Sequence, residues 1–212
     1  MKTRLHGICS KGYSRGFTLI ELLTVIAIIA ILAGILIPAV GAAKTAANKA
    51  KTKGQFNQWA VAMNLFKQEY GYYPAIDSGN KLVSASFFGA LVGKDYLGAT
   101  PTDYKGNLKH LSFYSASDSE VSLIANGDLV NGSLKDAFGN TDIAMFYDKD
   151  GDGMIKAAAP ELLSAVTVTP VGGTALTPAT GKIDTTNGIR AGVIFYSAGK
   201  GTSNLDIIYS WQ

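Results

Sequence analysis

The sequence predicts an α+β protein in which a long N-terminal helix packs on a C-terminal antiparallel sheet. An uncharged apolar run at residues 22–43 is followed by helical spacing of apolar residues up to about Tyr70. Alternating segments rich in β-branched and aromatic residues then occur in the C-terminal half, separated by turn residues. This order of patterns is typical of α+β domains. With 212 residues, 47% of them hydrophobic, the chain is long enough to bury a core.

The first 16 residues form a short basic segment. The whole chain has 19 basic and 16 acidic residues, but without this segment 15 basic groups would face 16 acidic ones, a net charge of −1. The basic excess of the chain comes from four residues of this segment: Lys2, Arg4, Lys11 and Arg15. We therefore expect no nucleic-acid partner. Cys9, the one cysteine of the sequence, lies in the same segment, so residues 17–212 offer no disulfide and no thiol nucleophile.

The apolar run is predicted to span a membrane. Its 22 uncharged residues would form a helix about 33 Å long, enough to cross the hydrocarbon core. A secretory signal peptide has a shorter apolar run with the cleavage site after it. Here the small residue that suits cleavage, Gly16, precedes the run, so the helix would be retained. A buried core helix is the alternative interpretation.

Two residues are unusual for a simple membrane anchor. Glu21 lies at the edge of the run, where an unpaired carboxylate in lipid costs about 2.5–3.5 kcal/mol. After a cut behind Gly16, the new α-ammonium of Phe17 would lie four residues away on the same helical face. Pro38 removes a backbone hydrogen bond and crowds the turn near Gly34, so we expect the helix to kink or melt locally there.

Residues 11–22 read Lys-Gly-Tyr-Ser-Arg-Gly-Phe-Thr-Leu-Ile-Glu-Leu, and they resemble the start of type IV prepilin-like proteins. The shared motif is a basic leader that ends in glycine before Phe-Thr-Leu-Ile-Glu and an apolar helix. The resemblance implies that a prepilin peptidase cuts after Gly16 and methylates the nitrogen of Phe17. It also implies that the helix polymerises into a filament core, with Glu21 and Pro38 taking part in assembly.

The same resemblance implies the domain organisation and the location. Residues 1–16 would be the leader peptide, residues 17–43 the transmembrane and filament-core helix, and residues 44–212 an extracytoplasmic, type IV pilin-like α+β head. The protein would cross the inner membrane once, with its N-terminus in the cytoplasm and its head in the periplasm or outside the cytoplasm. Charge counting does not decide this orientation, because basic residues flank the span on both sides.

Beyond the span, apolar residues recur every three or four positions and predict one buried helical stripe. Its members are Phe56, Trp59, Ala60, Met63, Phe66 or Lys67, and Tyr70. Lys53, Asn57, Asn64 and Gln68 would be more exposed. Gly71 and Pro74 are then expected to end the helix, because glycine suits a C-terminal cap and proline cannot continue a helix.

Several loop segments resemble the major pseudopilin of type II secretion systems. They are Tyr70–Pro74, Gly79, Tyr96-Leu97 before Pro101, and Asp136-Ala137-Phe138-Gly139-Asn140. This resemblance implies a homopolymeric pseudopilus that also engages minor pseudopilins and an inner-membrane assembly platform. The alternative interpretation is that glycine, proline and aromatic residues punctuate any α+β domain in this way.

Three strands are predicted in the C-terminal part: Thr141–Tyr147, Ile189–Tyr196 and Leu205–Trp211. Turns are expected at Asp150-Gly151 and at Gly199–Gly201. Residues 157–188 are dominated by Ala, Thr, Pro and Gly, so we interpret them as a variable insertion with room for one short strand around Leu163–Val168.

The first of two candidate calcium loops begins at Asp148. Asp148, Asp150 and Asp152 match positions 1, 3 and 5 of an EF-hand loop, with Gly at position 6 and the carbonyl of Met154 at position 7. Position 12 is an alanine rather than the bidentate Glu, and Glu161 follows two residues too late. A solvated hairpin turn is the alternative, because Asp and Gly are also typical turn residues.

The second candidate loop, Ser197–Asp206, resembles the calcium loop of the major pseudopilin. The resemblance implies Asn204 and Asp206 as ligands, with Ile207 and Trp211 similar to that family's closing residues. Lys200 departs from the family pattern, because a lysine stands where an aspartate is usual and opposes a cation.

No catalytic motif is present in the sequence. It contains no Gly-x-Ser-x-Gly elbow, phosphate-binding Gly-Lys-Ser/Thr loop or His-Glu-x-x-His helix, and we expect no enzymatic activity. The function that we favour is a type II secretion pseudopilus subunit. The alternatives are a type IV pilus subunit for adhesion or motility, and a membrane-tethered, calcium-dependent binding module that does not polymerise.

Overall fold

The computed structural model describes residues 16–94, 104–122 and 132–212. Most of the leader, and the Tyr96-Leu97 and Pro101 positions of the resemblance, lie outside the described residues. The chain divides into two compact units, Met1–Lys44 and Thr45–Gln212. Helix α1 (Leu19–Tyr70) begins in the first unit and ends in the second.

The described part of the first unit is an apolar helix with its side chains uncovered. All large apolar residues from Leu19 to Val40 are exposed. α1 is helical on both sides of Pro38 and at Pro38 itself, so the helix does not melt there in the isolated chain, and the kink, the other expected outcome, stays a prediction. A single proline removes one hydrogen bond, and the bonded turns on either side hold the helix across that gap.

In the second unit, α1 buries one stripe and ends where the sequence predicts. Its buried residues are Thr52, Gln55, Phe56, Trp59, Ala62, Met63 and Phe66. Ala60 and Tyr70, which we predicted in the stripe, are partly buried at its margin. Gly71 has a φ of +84°, and its N–H donates to the Lys67 carbonyl at 2.8 Å. This left-handed glycine closes the helix, as the sequence predicts.

A five-stranded antiparallel sheet forms the centre of the second unit, so the predicted α+β class is confirmed. Its strands, in spatial order, are β1 (Asp77–Ser78), β2 (Lys81–Leu82), β5 (Ile143–Tyr147), β6 (Val193–Ser197) and β7 (Ile208–Tyr209). β3 (Val121–Ser122) and β4 (Ser133–Leu134) pair separately as a two-stranded sheet. β5 and β6 pair over their full length, from Ile143 opposite Ser197 to Tyr147 opposite Val193.

The three predicted strands are present but shorter than predicted. Ile189 makes an isolated bridge with Ile155 before β6 begins, and Asn204–Asp206 form a 3₁₀ turn before β7. The short strand expected around Leu163–Val168 is not formed, because Val168 makes only an isolated bridge to Leu176. The sequence also missed the β1–β2 hairpin, whose Gly79 and Asn80 both have the positive φ that tight hairpin turns require.

The sheet is covered on both faces. Alternate residues of β5 and β6, among them Met145 and Phe195, face a first core that is shared with α1. The intervening residues, among them Phe146 and Tyr196, face a second core. Segment 157–188 supplies four buried side chains to this second core: Leu163, Val168, Leu176 and Ile183. The insertion that we interpreted as variable is therefore a structural layer of the head.

A short helical segment contributes side chains to the core that α1 and the sheet share. α2 (Ser84–Phe87) continues as a π-helical turn, Phe88–Val92, and stops at Gly93. Gly93 has a φ of +72°, and a Cβ there would lie 2.9 Å from the carbonyl oxygens of His110 and Leu111. The two backbone segments approach each other so closely that this position requires glycine, which has no Cβ.

Candidate functional sites

The predicted cleavage site is accessible. Gly16 is exposed, and a Cβ placed on it would contact no atom within 4 Å. Phe17 is 81% exposed. The peptide bond between the two residues is therefore unobstructed by the described part of the chain, as a peptidase substrate requires.

Glu21 is hydrogen-bonded to Thr18, the residue immediately before α1. Its Oε2 atom accepts hydrogen bonds from the backbone N–H of Thr18 at 2.8 Å and from the Thr18 hydroxyl at 2.7 Å. The backbone N–H of Glu21 donates in turn to the Thr18 hydroxyl at 3.3 Å. This reciprocal arrangement satisfies donors that a helix N-terminus otherwise leaves free. The pairing of Glu21 with Phe17 of a neighbouring subunit stays a prediction.

The helix that follows is long and apolar enough to cross a membrane, judged by its length and composition. None of its most apolar stretch is buried within the chain. Contiguous apolar surfaces of this extent are found where a protein meets lipid or another protein.

We call residues 148–154 the acidic loop; it follows β5 directly. The carboxylates of Asp148, Asp150 and Asp152 lie within 4.8 Å of one another, as the sequence predicts for a metal site. Asp148 is 3% exposed, and its two oxygens accept the backbone N–H groups of Gly151 and Gly153 at 2.6 and 3.0 Å. Both glycines have a positive φ, which lets the backbone wrap around the Asp148 carboxylate.

The other two aspartates of the acidic loop are exposed. Each accepts the backbone N–H two residues ahead, at 3.1 Å for Asp150 and at 2.9 Å for Asp152. Met154, the predicted carbonyl ligand, is therefore drawn to the Asp152 side chain by its own N–H group. These bonds fold the acidic loop into a tight turn that brings the three carboxylates together.

Two lysines face the acidic loop. The Lys156 ammonium forms a salt bridge with Asp152, and Lys67 Nζ lies 3.8 Å from Asp148 Oδ2. The hydrogen bond from Lys156 lowers the pKa of Asp152. The same bond raises the pKa of Lys156, with a further contribution from the charges of Asp150 and Glu161. The Lys156 ammonium therefore lies in the field of three carboxylates.

Glu161 lies against the acidic loop, although sequence spacing placed it two residues too late. The chain turns back after Lys156, with the Leu163 N–H donating to the Lys156 carbonyl at 2.8 Å. Glu161 Oε1 then accepts the backbone N–H of Lys149 at 3.3 Å. The residue is 1% exposed, and its Oε2 atom has no hydrogen-bond partner among the described residues. Counting ligands along the chain missed Glu161, because a turn shortens its path to the acidic loop.

The second candidate loop closes on itself. Asp206 Oδ2 accepts the backbone N–H groups of Thr202 and Ser203 at 2.9 and 3.0 Å, and it also accepts the Thr202 hydroxyl. The hydroxyl contributes most to the lowered pKa of Asp206, and Lys200 lowers it further. Asn204 is exposed within the same 3₁₀ turn. Among the described residues, three acidic side chains converge at the acidic loop and not around Asp206.

The Asp136–Asn140 turn, part of the resemblance, is a buried polar junction. The Asp136 side chain is 1% exposed and accepts hydrogen bonds from the backbone of Phe138 and Asn140. It also accepts the Ser197 hydroxyl at 2.7 Å, and the Asn140 amide donates to the Gly199 carbonyl at the same distance. The turn therefore connects the chain before β5 to the end of β6.

One comparison with known proteins identifies a match. The family model described as the prokaryotic N-terminal methylation motif matches residues 11–37. No curated protein and no solved structure matches the chain. The matched motif and the long apolar helix indicate a type IV pilin-like subunit, a class that includes both pilins and pseudopilins.

Proposed function

We propose that this chain is a pseudopilus subunit of a type II secretion system and that it polymerises from the inner membrane to drive protein export. The observation that carries the proposal is the uncovered apolar surface of α1, which begins within the methylation motif. The apolar surface requires lipid before assembly and neighbouring helices afterwards. A filament whose core consists of such helices meets both requirements.

Processing would make the helix competent for assembly. Removal of residues 1–16 takes four basic side chains from the cytoplasmic end and leaves Phe17 as a new, methylated N-terminus. The penalty for drawing the helix out of the bilayer is then reduced, because fewer charges must leave the membrane surface. Within the bundle, Glu21 of one subunit would pair with the ammonium of Phe17 in its neighbour.

Two segments favour a pseudopilus over a pilus. Tyr70–Pro74 and Asp136–Asn140 are similar to the helix end and the loop of the major pseudopilin. In this chain the first segment holds the left-handed cap Gly71, and the second holds the buried carboxylate of Asp136. These contacts give both segments a structural role in the head. A pilus subunit for adhesion or motility remains the second candidate, because the N-terminal motif is common to both.

Deletion of the gene tests the proposal. The wild-type gene, Gly16→Val and Gly12→Val should each be returned to the deletion strain. We expect extracellular enzymes to be retained inside the deletion strain and to be released again by the wild-type gene. Gly16→Val should fail to restore export, because it blocks the cut, whereas Gly12→Val, within the leader, should restore it.

The outcomes separate the candidates. Normal export together with lost surface motility or adhesion would overturn the pseudopilus and support the pilus. Normal export, motility and adhesion would contradict both filament functions and leave the tethered binding module.

A further inference from the structure

A buried carboxylate of the head lacks a hydrogen-bond partner at one oxygen, among the residues that the structure describes. Glu161 Oε2 has no hydrogen-bond partner among the described residues, and the whole side chain is 1% exposed. An ionised carboxylate is removed from water at a large cost unless a charge or donor replaces its hydration. The other oxygen, Oε1, accepts the Lys149 N–H group at 3.3 Å, so the Glu161 side chain reaches the backbone of the acidic loop, although it is not one of the carboxylates that lie within 4.8 Å of one another.

We propose that the acidic loop and Glu161 together form a calcium site, in which Glu161 supplies the closing carboxylate. The remaining ligands are the carboxylates of Asp148, Asp150 and Asp152 and the backbone carbonyl of Met154. Four carboxylates and a carbonyl are all oxygen ligands, the type that calcium selects. Two of the four, Asp148 and Glu161, are buried, which distinguishes the cluster from an exposed acidic turn.

The hydrogen bonds of the loop leave room for metal coordination. Each oxygen of Asp148 accepts one backbone N–H group, and a carboxylate oxygen offers two acceptor positions. These bonds fix the orientation of the Asp148 carboxylate before any ion arrives. Prearranged ligands of this kind favour binding, because less conformational freedom is lost on coordination.

Lys156 would compete with a calcium ion for the carboxylate of Asp152. Its ammonium pairs with Asp152 and is the cation nearest to that carboxylate in the structure. A calcium ion bound by Asp152 would displace the ammonium toward solvent, where Lys156 is already 40% exposed. Calcium therefore replaces a single positive charge with a double one at the same cluster.

The site would connect two layers of the head. The acidic loop continues from β5, and Glu161 precedes Leu163, a residue of the second core. Calcium bound between them would brace the sheet against the segment that covers its outer face. This inference is independent of the filament function, because it concerns contacts within one subunit.

The test uses the full-length protein purified in detergent and stripped of metal with a chelator. Calcium chloride is titrated into the protein by calorimetry, with magnesium chloride as the comparison ion, and the melting temperature is measured in both states. We expect one calcium site per chain, weaker binding of magnesium, and a higher melting temperature with calcium. Absence of calcium binding would overturn the proposal.

Glu161→Gln tests the closing ligand. The amide oxygen still accepts the Lys149 N–H group, while the charge is lost. We expect calcium affinity to fall at least about tenfold and the calcium-free protein to melt no lower than the wild type. The matched control is Asp184→Asn, because Asp184 also holds a turn through its neighbours' N–H groups but is only half-buried and lies outside the cluster. Equal calcium affinity of Glu161→Gln and wild type would remove Glu161 from the site.

Lys156→Met distinguishes a metal site from an acidic turn that lysine stabilises. With the competing ammonium removed, calcium affinity should rise several-fold, while the calcium-free protein should become less stable. Unchanged or weaker calcium binding by Lys156→Met would contradict the competition that the geometry implies.

Discussion

Among individual residues, Glu21 is notable because its carboxylate has two alternative partners. In the single chain its carboxylate accepts hydrogen bonds from Thr18, the residue immediately before α1. In a filament the processed ammonium of Phe17 from a neighbour would be a stronger partner, because it carries a full charge. The two arrangements predict different behaviour for substitutions at residues 18 and 21.

We expect Glu21→Val protein to be inserted and processed but to form filaments poorly. Loss of the carboxylate leaves the Phe17 ammonium buried without its partner, at a cost of about 3–5 kcal/mol. Thr18→Val is the control, because it removes the cap hydroxyl and leaves the charge. Filament yield is measured by shearing and electron microscopy. Wild-type yield from Glu21→Val, or an equal defect in Thr18→Val, would rule out pairing between subunits.

The residues of the acidic loop show which parts of a site can be predicted from local sequence spacing. Asp148, Asp150 and Asp152 converge as predicted, because their spacing alone folds them around one turn. Glu161 was dismissed, because its position depends on a turn whose hydrogen bonds the sequence does not display. Asp206 was predicted as a metal ligand from a resemblance, and the structure shows that Thr202 and Ser203 already bind its carboxylate.

At the scale of elements, helix α1 and the paired strands were predictable, and the layer outside the sheet was not. Apolar residues three and four positions apart predicted helix α1 up to Gly71, because that spacing places them on one helical face that can be buried. Segment 157–188 is dominated by Ala, Thr, Pro and Gly, so its local pattern is that of a loop. Its side chains are buried only because β5 and β6 expose apolar residues on both faces.

Leu163→Ala tests whether that segment is part of the core. Leu163 is 2% exposed, and we expect its truncation to lower the free energy of unfolding by about 2–5 kcal/mol. Leu162 is the matched control, since it is the adjacent residue of the same type but 57% exposed. Leu162→Ala should cost less than about 0.5 kcal/mol. Equal effects in urea unfolding would mean that the segment is a loop and not a layer of the head.

At the scale of the whole molecule, buried tyrosines link the stability of the head to alkaline pH. Burial, assisted by Asp77, raises the pKa of Tyr147 from 10.0 to about 12. Burial also raises the pKa of Tyr114, where Glu120 contributes, and that of Tyr196. Each neutral phenol is therefore favoured by the folded state, which holds its proton to higher pH than the unfolded chain does.

The resulting stability is fully present below pH 10 and is lost as pH rises toward 12. We expect unfolding in this window, accompanied by the absorbance of tyrosinate. Tyr147→Phe should weaken the pH dependence, because the phenylalanine ring has no proton to lose. A head that titrates all its tyrosines near pH 10 while it stays folded would contradict the burial of these side chains.

A filament subunit of this kind loses its leader and keeps its apolar helix for assembly. Mass spectrometry of the protein, isolated from membranes of cells that contain a prepilin peptidase, tests it most directly. We expect a mature chain that starts at Phe17 with one methyl group on its nitrogen. A chain that still starts at Met1, or one that starts near Ala43 after loss of the helix, would contradict it.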